Sequence, residues 1–235
     1  MFTRLALRGS VALIILGLST WAHAQVTYGV TQVSPDPHPP EVYQYWANDF
    51  NDRGEVVGGA YSTTPFWAWI WQHGEFTRLP ALPDATEADY VYANGLNDRT
   101  QIVGRSGDRP VAWIRGQIRD LSPTTGEQIS VSDLNNIGMM IGGVAINGIS
   151  NPIVQWRGHR LMLENLPGAQ FSQAARINEL GVISGNTTLN SARHAVVWRL
   201  GRIRDLGVLP GVTARLPAGS TIVGRWLSPS ASRRA

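Results

Sequence analysis

The residue types in this chain that could do chemistry are aromatic and acidic. Trp67, Trp69, Tyr43, Tyr45, Tyr90 and Tyr92 fall between positions 43 and 92, beside a long acidic connection at 81–90. Aromatic side chains stack on sugar rings or anchor a polypeptide, because each joins a large apolar face to a polar edge. These six are the candidate ligand contacts, with a glycan or a polypeptide as the expected partner. The competing reading places the same rings in a core.

Other chemistries find less support. Asp49-Phe50-Asn51-Asp52-Arg53-Gly54 has the outline of a calcium loop, but calcium takes several hard oxygen ligands. The fifth loop position is Arg53, then Arg99, Ile137 and Leu180 in three later copies, and none of these can ligate. Plain turn chemistry explains the loop better. After residue 24 the histidines are His38, His73, His159 and His194, with no Cys and no two histidines at ligand spacing. Zinc needs three or four such ligands. There is no Gly-x-Ser-x-Gly elbow around a nucleophile. Asp49 and Asp133 occupy matching repeat positions, and a carboxylate pair could hydrolyse a glycosidic bond if a fold brought them together. Spacing alone does not. No catalytic residue, cofactor or metal is therefore expected.

These side chains ride on a repeat. Its first half reads ANDFNDRGEVVGGA from Ala47, ANGLNDRTQIVGRS from Ala93, VSDLNNIGMMIGGV from Val131 and AARINELGVISGNT from Ala174. Asn51, Asn97, Asn135 and Asn178 each precede an anchor glycine, Gly58, Gly104, Gly142 and Gly185, by seven residues. The second half centres on Trp71, Trp113, Trp156 and Trp198, each followed by a Gly two or three residues on. These four periodic Trp residues read as core. A fifth, degenerate first half runs from Ala214 to Trp226 and lacks the Asn. Successive anchor glycines are 46, 38, 43 and 39 residues apart, the length of one four-stranded propeller blade.

Local signals inside a unit are strand and turn. Glu55-Val56-Val57 and Gln101-Ile102-Val103 are short β-branched runs bounded by turn residues. Asn-Asp-Arg-Gly reads as a hairpin loop with Gly at the positive-φ position. Thr100 replaces that Gly in the second unit, so its turn should be strained or reshaped. The expected fold is all-β: a β-propeller-like repeat protein of about five blades, the last one partial. An open β-solenoid is the alternative. Val26–Val33 resembles the last strand of a unit, so the two chain ends could build one blade together, with a strand near Thr221–Gly224.

The chain opens MFTRLALRGSVALIILGLSTWAHAQ. Arg4 and Arg8, the apolar run Val11–Leu18 and Ala22-His23-Ala24 have the layout of a cleavable export signal. The run is far short of the roughly 20 residues that span a bilayer. The domains are then a signal peptide at 1–24, a repeat domain at 25–226 and a disordered tail at 227–235, and the localisation is secreted, either extracellular or periplasmic. No membrane contact is expected once the signal is removed. All basic residues are Arg, and residues 25–205 hold fourteen of them against seventeen acids. That balance does not suit nucleic acid as a partner.

Ile177-Asn178, Gly185, His194-Ala195-Val196-Val197-Trp198 and Asp205-Leu206-Gly207 follow one pattern, partly repeated by Val103-Gly104-Arg105-Ser106 and Asp120-Leu121. The pattern resembles the HAF-type extracellular repeat family over residues 26 to about 226. The name-giving triplet is degenerate in the first three units. The resemblance implies export and a propeller-like β fold, and no established activity. The expected role is a binding or interaction scaffold. A propeller hydrolase with a site in the central funnel is the alternative.

Overall fold

A computed structural model describes residues 31–33, 40–62, 66–86 and 90–208. The chain divides into Met1–Gln32 and Val33–Ala235, and the strands among the described residues lie in the second part. Every regular element among the described residues is a β-strand. Blade 1 is β1 (Val42–Phe50), β2 (Val56–Ser62), β3 (Trp67–Gln72) and β4 (Glu75–Arg78). Blade 2 is β5 (Val91–Leu96), β6 (Ile102–Ser106), β7 (Arg109–Ile114) and β8 (Gln117–Asp120). Blade 3 is β9 (Ile129–Leu134), β10 (Met140–Ile146), β11 (Ile149–Trp156) and β12 (His159–Met162). Blade 4 is β13 (Phe171–Ile177), β14 (Ile183–Leu189), β15 (Ala192–Arg199) and β16 (Arg202–Gly207). Each blade is an antiparallel meander in chain order, and the four make a β-propeller.

Blades associate because each sheet is apolar on both faces. Val57, Ala68, Ile70 and Leu79 of blade 1 pack on Val91, Leu96, Ile102 and Trp113 of blade 2. The same layer recurs between blades 2 and 3, and between blades 3 and 4. The repeat asparagines then join blade to blade. Asn51 Nδ2 donates to the Asn97 carbonyl at 3.0 Å, Asn97 to that of Asn135 at 3.1 Å, and Asn135 to that of Asn178 at 3.1 Å. Meanwhile each Oδ1 folds its own turn. Asn97 Oδ1 accepts from the backbone N–H groups of Arg99 and Gln101, both at 3.0 Å. A second thread runs alongside, with Asp52 N–H donating to Asp98 and Asp98 N–H to Asn136.

The anchor glycines answer to close approach. In every blade the first strand carries a register irregularity near its centre. The innermost strand consequently presses on the second. A Cβ on Gly104 would lie 1.8 Å from the Tyr92 carbonyl oxygen, and one on Gly142 equally close to that of Ser130. Thr100 does stand at positive φ, +55°, in the place held by Gly54, Gly138 and Gly181 elsewhere. That conformation costs an L-residue about 1–2 kcal/mol. Its Oγ1 donates to the buried Glu55 carboxylate at 2.9 Å, which offsets part of that cost.

The periodic tryptophans divide. Trp113 and Trp198 are buried, and their Nε1–H groups donate to the carbonyls of Pro80 and Glu164 in the preceding connection. Trp71 is half-buried. Trp156, expected in the core, is 39% exposed. The reason is register. Gly104 pairs with Val111 and Gly185 with Val196, two residues before the Trp, whereas Gly142 pairs with Ile153, three residues before Trp156. A one-residue slip turns a strand side chain to the opposite face. Gln155, not Trp156, holds the core position.

Among the described residues the series of blades has two end faces. Consecutive blades pack through their inner strands, and no comparable packing joins blade 4 to blade 1 among the described residues. Phe50 is 75% exposed where Leu96, Leu134 and Ile177 are buried. The expected fifth half-unit and the partner strand near Thr221–Gly224 lie outside the described residues, as does most of Val26–Val33. Of that last stretch, residues 31–33 are described and form no strand.

The two tryptophan classes predict opposite stability effects. Trp113→Ala should destabilise by about 3–5 kcal/mol, as loss of a buried aromatic does. Trp156→Ala should stay within about 1 kcal/mol of wild type. Urea unfolding of both variants checks this, and equal losses contradict the register assignment.

Candidate functional site

Strand alternation sorts the aromatic residues into two groups. Tyr45 and Trp46 are neighbours on β1 and point to opposite faces. Tyr45 joins Trp67, Trp71 and Phe76 against Trp69 on the end face of blade 1. Its ring meets Phe76 edge-on at 5.5 Å and Trp67 at 6.0 Å. Trp69 is 1% exposed, and its Nε1–H donates to the Gly59 carbonyl at 2.8 Å. Of the six sequence candidates, Trp69 is thus core, while Trp67 and Tyr45 are half-buried on that end face.

The other three candidates come together elsewhere. Phe66 is the hub, with Tyr61 at 4.9 Å, Tyr90 at 5.3 Å, Tyr92 at 5.5 Å and Trp46 at 5.7 Å between ring centroids. Tyr43 extends the row through Tyr61 at 5.5 Å. Tyr43, Tyr61 and Tyr90 are exposed, so a continuous ring surface spans blades 1 and 2. Tyr61 and Phe66 were not among the sequence candidates. The available signal was that Gly107, Ala145 and Thr188 occupy the Tyr61 position in the other units.

The row ends at a polar cleft. Arg105 lies 5.0 Å above the Tyr92 ring. Beyond it, a cleft of about 380 Å³ between blades 2 and 3 is lined by Asn94, Arg105, Asp108, Gln128, Ser130 and Ser150 among others. The apolar platform and this set of donors and acceptors are therefore continuous.

At the axis the fold assembles residues 49, 95, 133 and 176, which share one repeat position. Arg176 donates to the Asn48 carbonyl at 2.8 Å and to that of Asn94 at 3.4 Å, so one guanidinium ties blade 4 to blades 1 and 2. Asp49 accepts from Leu96 N–H at 2.8 Å, and Asp133 from the N–H groups of Ile177 at 2.9 Å and Leu134 at 2.8 Å. Gly95 makes room, since a Cβ there would lie 2.6 Å from an Asp133 carboxylate oxygen. Burial pushes Asp133 up to about 7. The Ile177 N–H, the Arg176 charge and the Leu134 N–H pull it down, and the Asp49 charge adds to the rise. Asp49 is also raised by burial, and the Leu96 N–H and Arg176 oppose the shift. The two carboxylates do share the axial cluster. Their oxygens bond the backbone of the following blade, which is a structural task.

His194 and Asp205, 2.9 Å apart, form a pair within blade 4. Arg109 and Asp120 stand in the same repeat places in blade 2 at 3.0 Å. The pair is therefore a strand clamp of the repeat. Among the described residues no group of three or more His, Cys, Asp and Glu side chains could hold a metal.

No family model matches this chain, and no curated protein does. Among solved structures it is similar to an acylaminoacyl peptidase of Pyrococcus horikoshii, at 14% identity and TM-score 0.47, over 73% of this chain and 28% of that one. It is also similar to an acylaminoacyl peptidase in complex with Z-Gly-Gly-Phe-chloromethyl ketone, at 13% identity and TM-score 0.46, over 66% of this chain and 26% of that one. The chain spans little more than a quarter of the length of those two proteins.

The axis predicts a pH effect. Unfolded, Asp133 ionises near 3.8, and folded near 7. Between those values the folded state holds a proton that the unfolded state has released. Asp133 therefore lowers stability as pH rises through this window, with the loss complete above about 7. Its size is on the order of 4 kcal/mol. Asp133→Asn should flatten the slope of unfolding free energy between pH 4.5 and 7.5, measured in urea. An unchanged slope contradicts the assignment.

Proposed function

We propose that this protein is an exported carbohydrate-binding propeller. The surface formed by Tyr43, Tyr61, Phe66, Tyr90 and Tyr92 stacks on sugar rings, and the Arg105–Asp108 cleft binds the hydroxyls of an adjoining residue. The observation that carries this reading is the continuous row of rings across blades 1 and 2, of which Tyr43, Tyr61 and Tyr90 are exposed. Such a row is not needed to stack blades, because units three and four keep only Phe171, at the Tyr90 position, and have no counterpart of Tyr43, Tyr61 or Tyr92. An aromatic platform beside a charged donor and acceptor suits a ligand with apolar ring faces and hydroxylated edges. Export follows from the charged, apolar and small-residue layout of residues 1–24. Support for binding over hydrolysis comes from the axis, where Asp49 and Asp133 bond backbone N–H groups and Arg176 fills the space between blades.

Affinity electrophoresis of residues 25–235 against cell-wall and plant polysaccharides should identify a retarding glycan. Tyr61→Ala and Tyr90→Ala should each weaken it about tenfold, which is 1.4 kcal/mol. Trp67→Ala, on the opposite face of the sheet, should leave it within twofold. Retardation that survives both Tyr substitutions overturns this surface as the site. Binding of unglycosylated polypeptides alone would replace the glycan by a protein ligand.

A further inference from the structure

Blade 3 lacks the indole that blades 2 and 4 place between sheets. Opposite Val56, Ile102 and Ile183 stand Trp71, Trp113 and Trp198. Each pairs on its other side with an apolar residue of the outer strand, Phe76, Ile118 or Ile203. In blade 3 the corresponding residue is Gln155, opposite Met140 and paired with Arg160. A cleft of about 380 Å³ opens at this place, lined among others by Pro123, Glu127, Met140, Gln155, His159 and Arg160. Arg160 and Glu127 form an ion pair at 2.7 Å on its wall.

The sister blades show what such a space holds. The rings of Trp113 and Trp198 are buried, and each donates its N–H to the carbonyl one residue past a buried leucine: Pro80 after Leu79, and Glu164 after Leu163. In the connection before blade 3 the equivalent carbonyl belongs to Ser122, after Leu121. Met140 and Pro123 offer apolar walls, and the Arg160 guanidinium can lie over an aromatic face.

The neighbouring sheet edge is also unlike its sisters. β12 is the outermost strand of its sheet. Where β8 has Arg119-Asp120 and β16 has Arg204-Asp205, β12 has Leu161-Met162, both exposed. Charges on outer strands discourage pairing with another chain, and apolar residues there permit it. An extended peptide can add to such an edge by main-chain hydrogen bonds, with one side chain taken into a pocket.

We propose that the cleft between blade 3 and the connection that precedes it binds a tryptophan side chain presented by an extended polypeptide partner lying along β12. The partner's indole takes the place that Trp113 and Trp198 take in their own blades. This site is separate from the aromatic row and does not rest on the glycan reading.

Three probes test it by nuclear magnetic resonance, following the Met140 and Met162 methyl groups: free indole, N-acetyltryptophanamide, and a seven-residue β-forming peptide with a central Trp. The peptide should shift both methyls and bind at least tenfold tighter than N-acetyltryptophanamide, and its Trp→Ala version should do neither. Gln155→Trp should fill the cleft, raise the melting temperature and abolish binding. Leu161→Lys with Met162→Lys, at exposed positions, should weaken the peptide about tenfold without changing the melting temperature. If Gln155→Trp fails to fold, this edge variant still decides. Absence of any methyl shift, or binding that survives Gln155→Trp, overturns the site. Equal affinity for free indole and the peptide, or a peptide indifferent to the edge variant, overturns the polypeptide as its source.

Discussion

One amide, repeated three times in full, holds the ring in register. The oxygen of Asn51, Asn97 or Asn135 closes its own β-turn, while the nitrogen of the same group reaches the carbonyl of the next Asn. Local turn geometry and blade-to-blade spacing are thereby coupled. A turn that opened would withdraw a buried donor from its acceptor, and unsatisfied buried polar groups are costly. This explains why an amide is used: Asp has no donor for the second contact, and Ser lacks the reach to make both. Asn178 has the turn half of the arrangement, at 3.0 Å to Leu180 N–H and 2.9 Å to Val182 N–H. It is exposed, unlike the other three.

Departures from the repeat show how much that frame tolerates. Thr100 in a glycine position is met by Glu55, which also accepts from Asn51 Nδ2 at 2.6 Å. Two neighbouring turns thus share one buried carboxylate. At the axis, an Asp, Gly, Asp, Arg set replaces four-fold identity. Four like charges could not share that space, whereas two carboxylates and one guanidinium with a glycine gap can. The changes compensate one another across blades, so each is intelligible only as part of the ring.

The rigid frame also explains where recognition is placed. Stacked sheets leave little freedom to the first strands, so Tyr92 and the Tyr90 beside it are held against Phe66 by elements that cannot shift independently. Rings positioned by a scaffold need little ordering when a ligand arrives, and this favours affinity. The end face of blade 1 is different in kind. Its Tyr45, Trp67 and Phe76 pack on one another and on the buried Trp69 within blade 1.

The sequence by itself determined the strand-and-turn unit, its four copies and the propeller architecture. Those depend on short-range facts: Gly and Asn at turns, β-branched runs between them, and a period matching one blade. The clamp role of Asp205 with His194 could also be read from its recurrence as Asp120. What only the tertiary structure decided was facing. Tyr45 and Trp46 are adjacent letters with opposite fates, since side chains alternate along a strand and the parity depends on the register with β2. Trp156 carries the same lesson. Its glycine follows at two residues instead of three, a hint visible in the chain, but pairing with β10 shows that Gln155 took the core place. The axial meeting of Asp49, Asp133 and Arg176 joins residues up to 127 positions apart. No local pattern specifies such a contact, because it exists only once the blades have been arranged around a common axis.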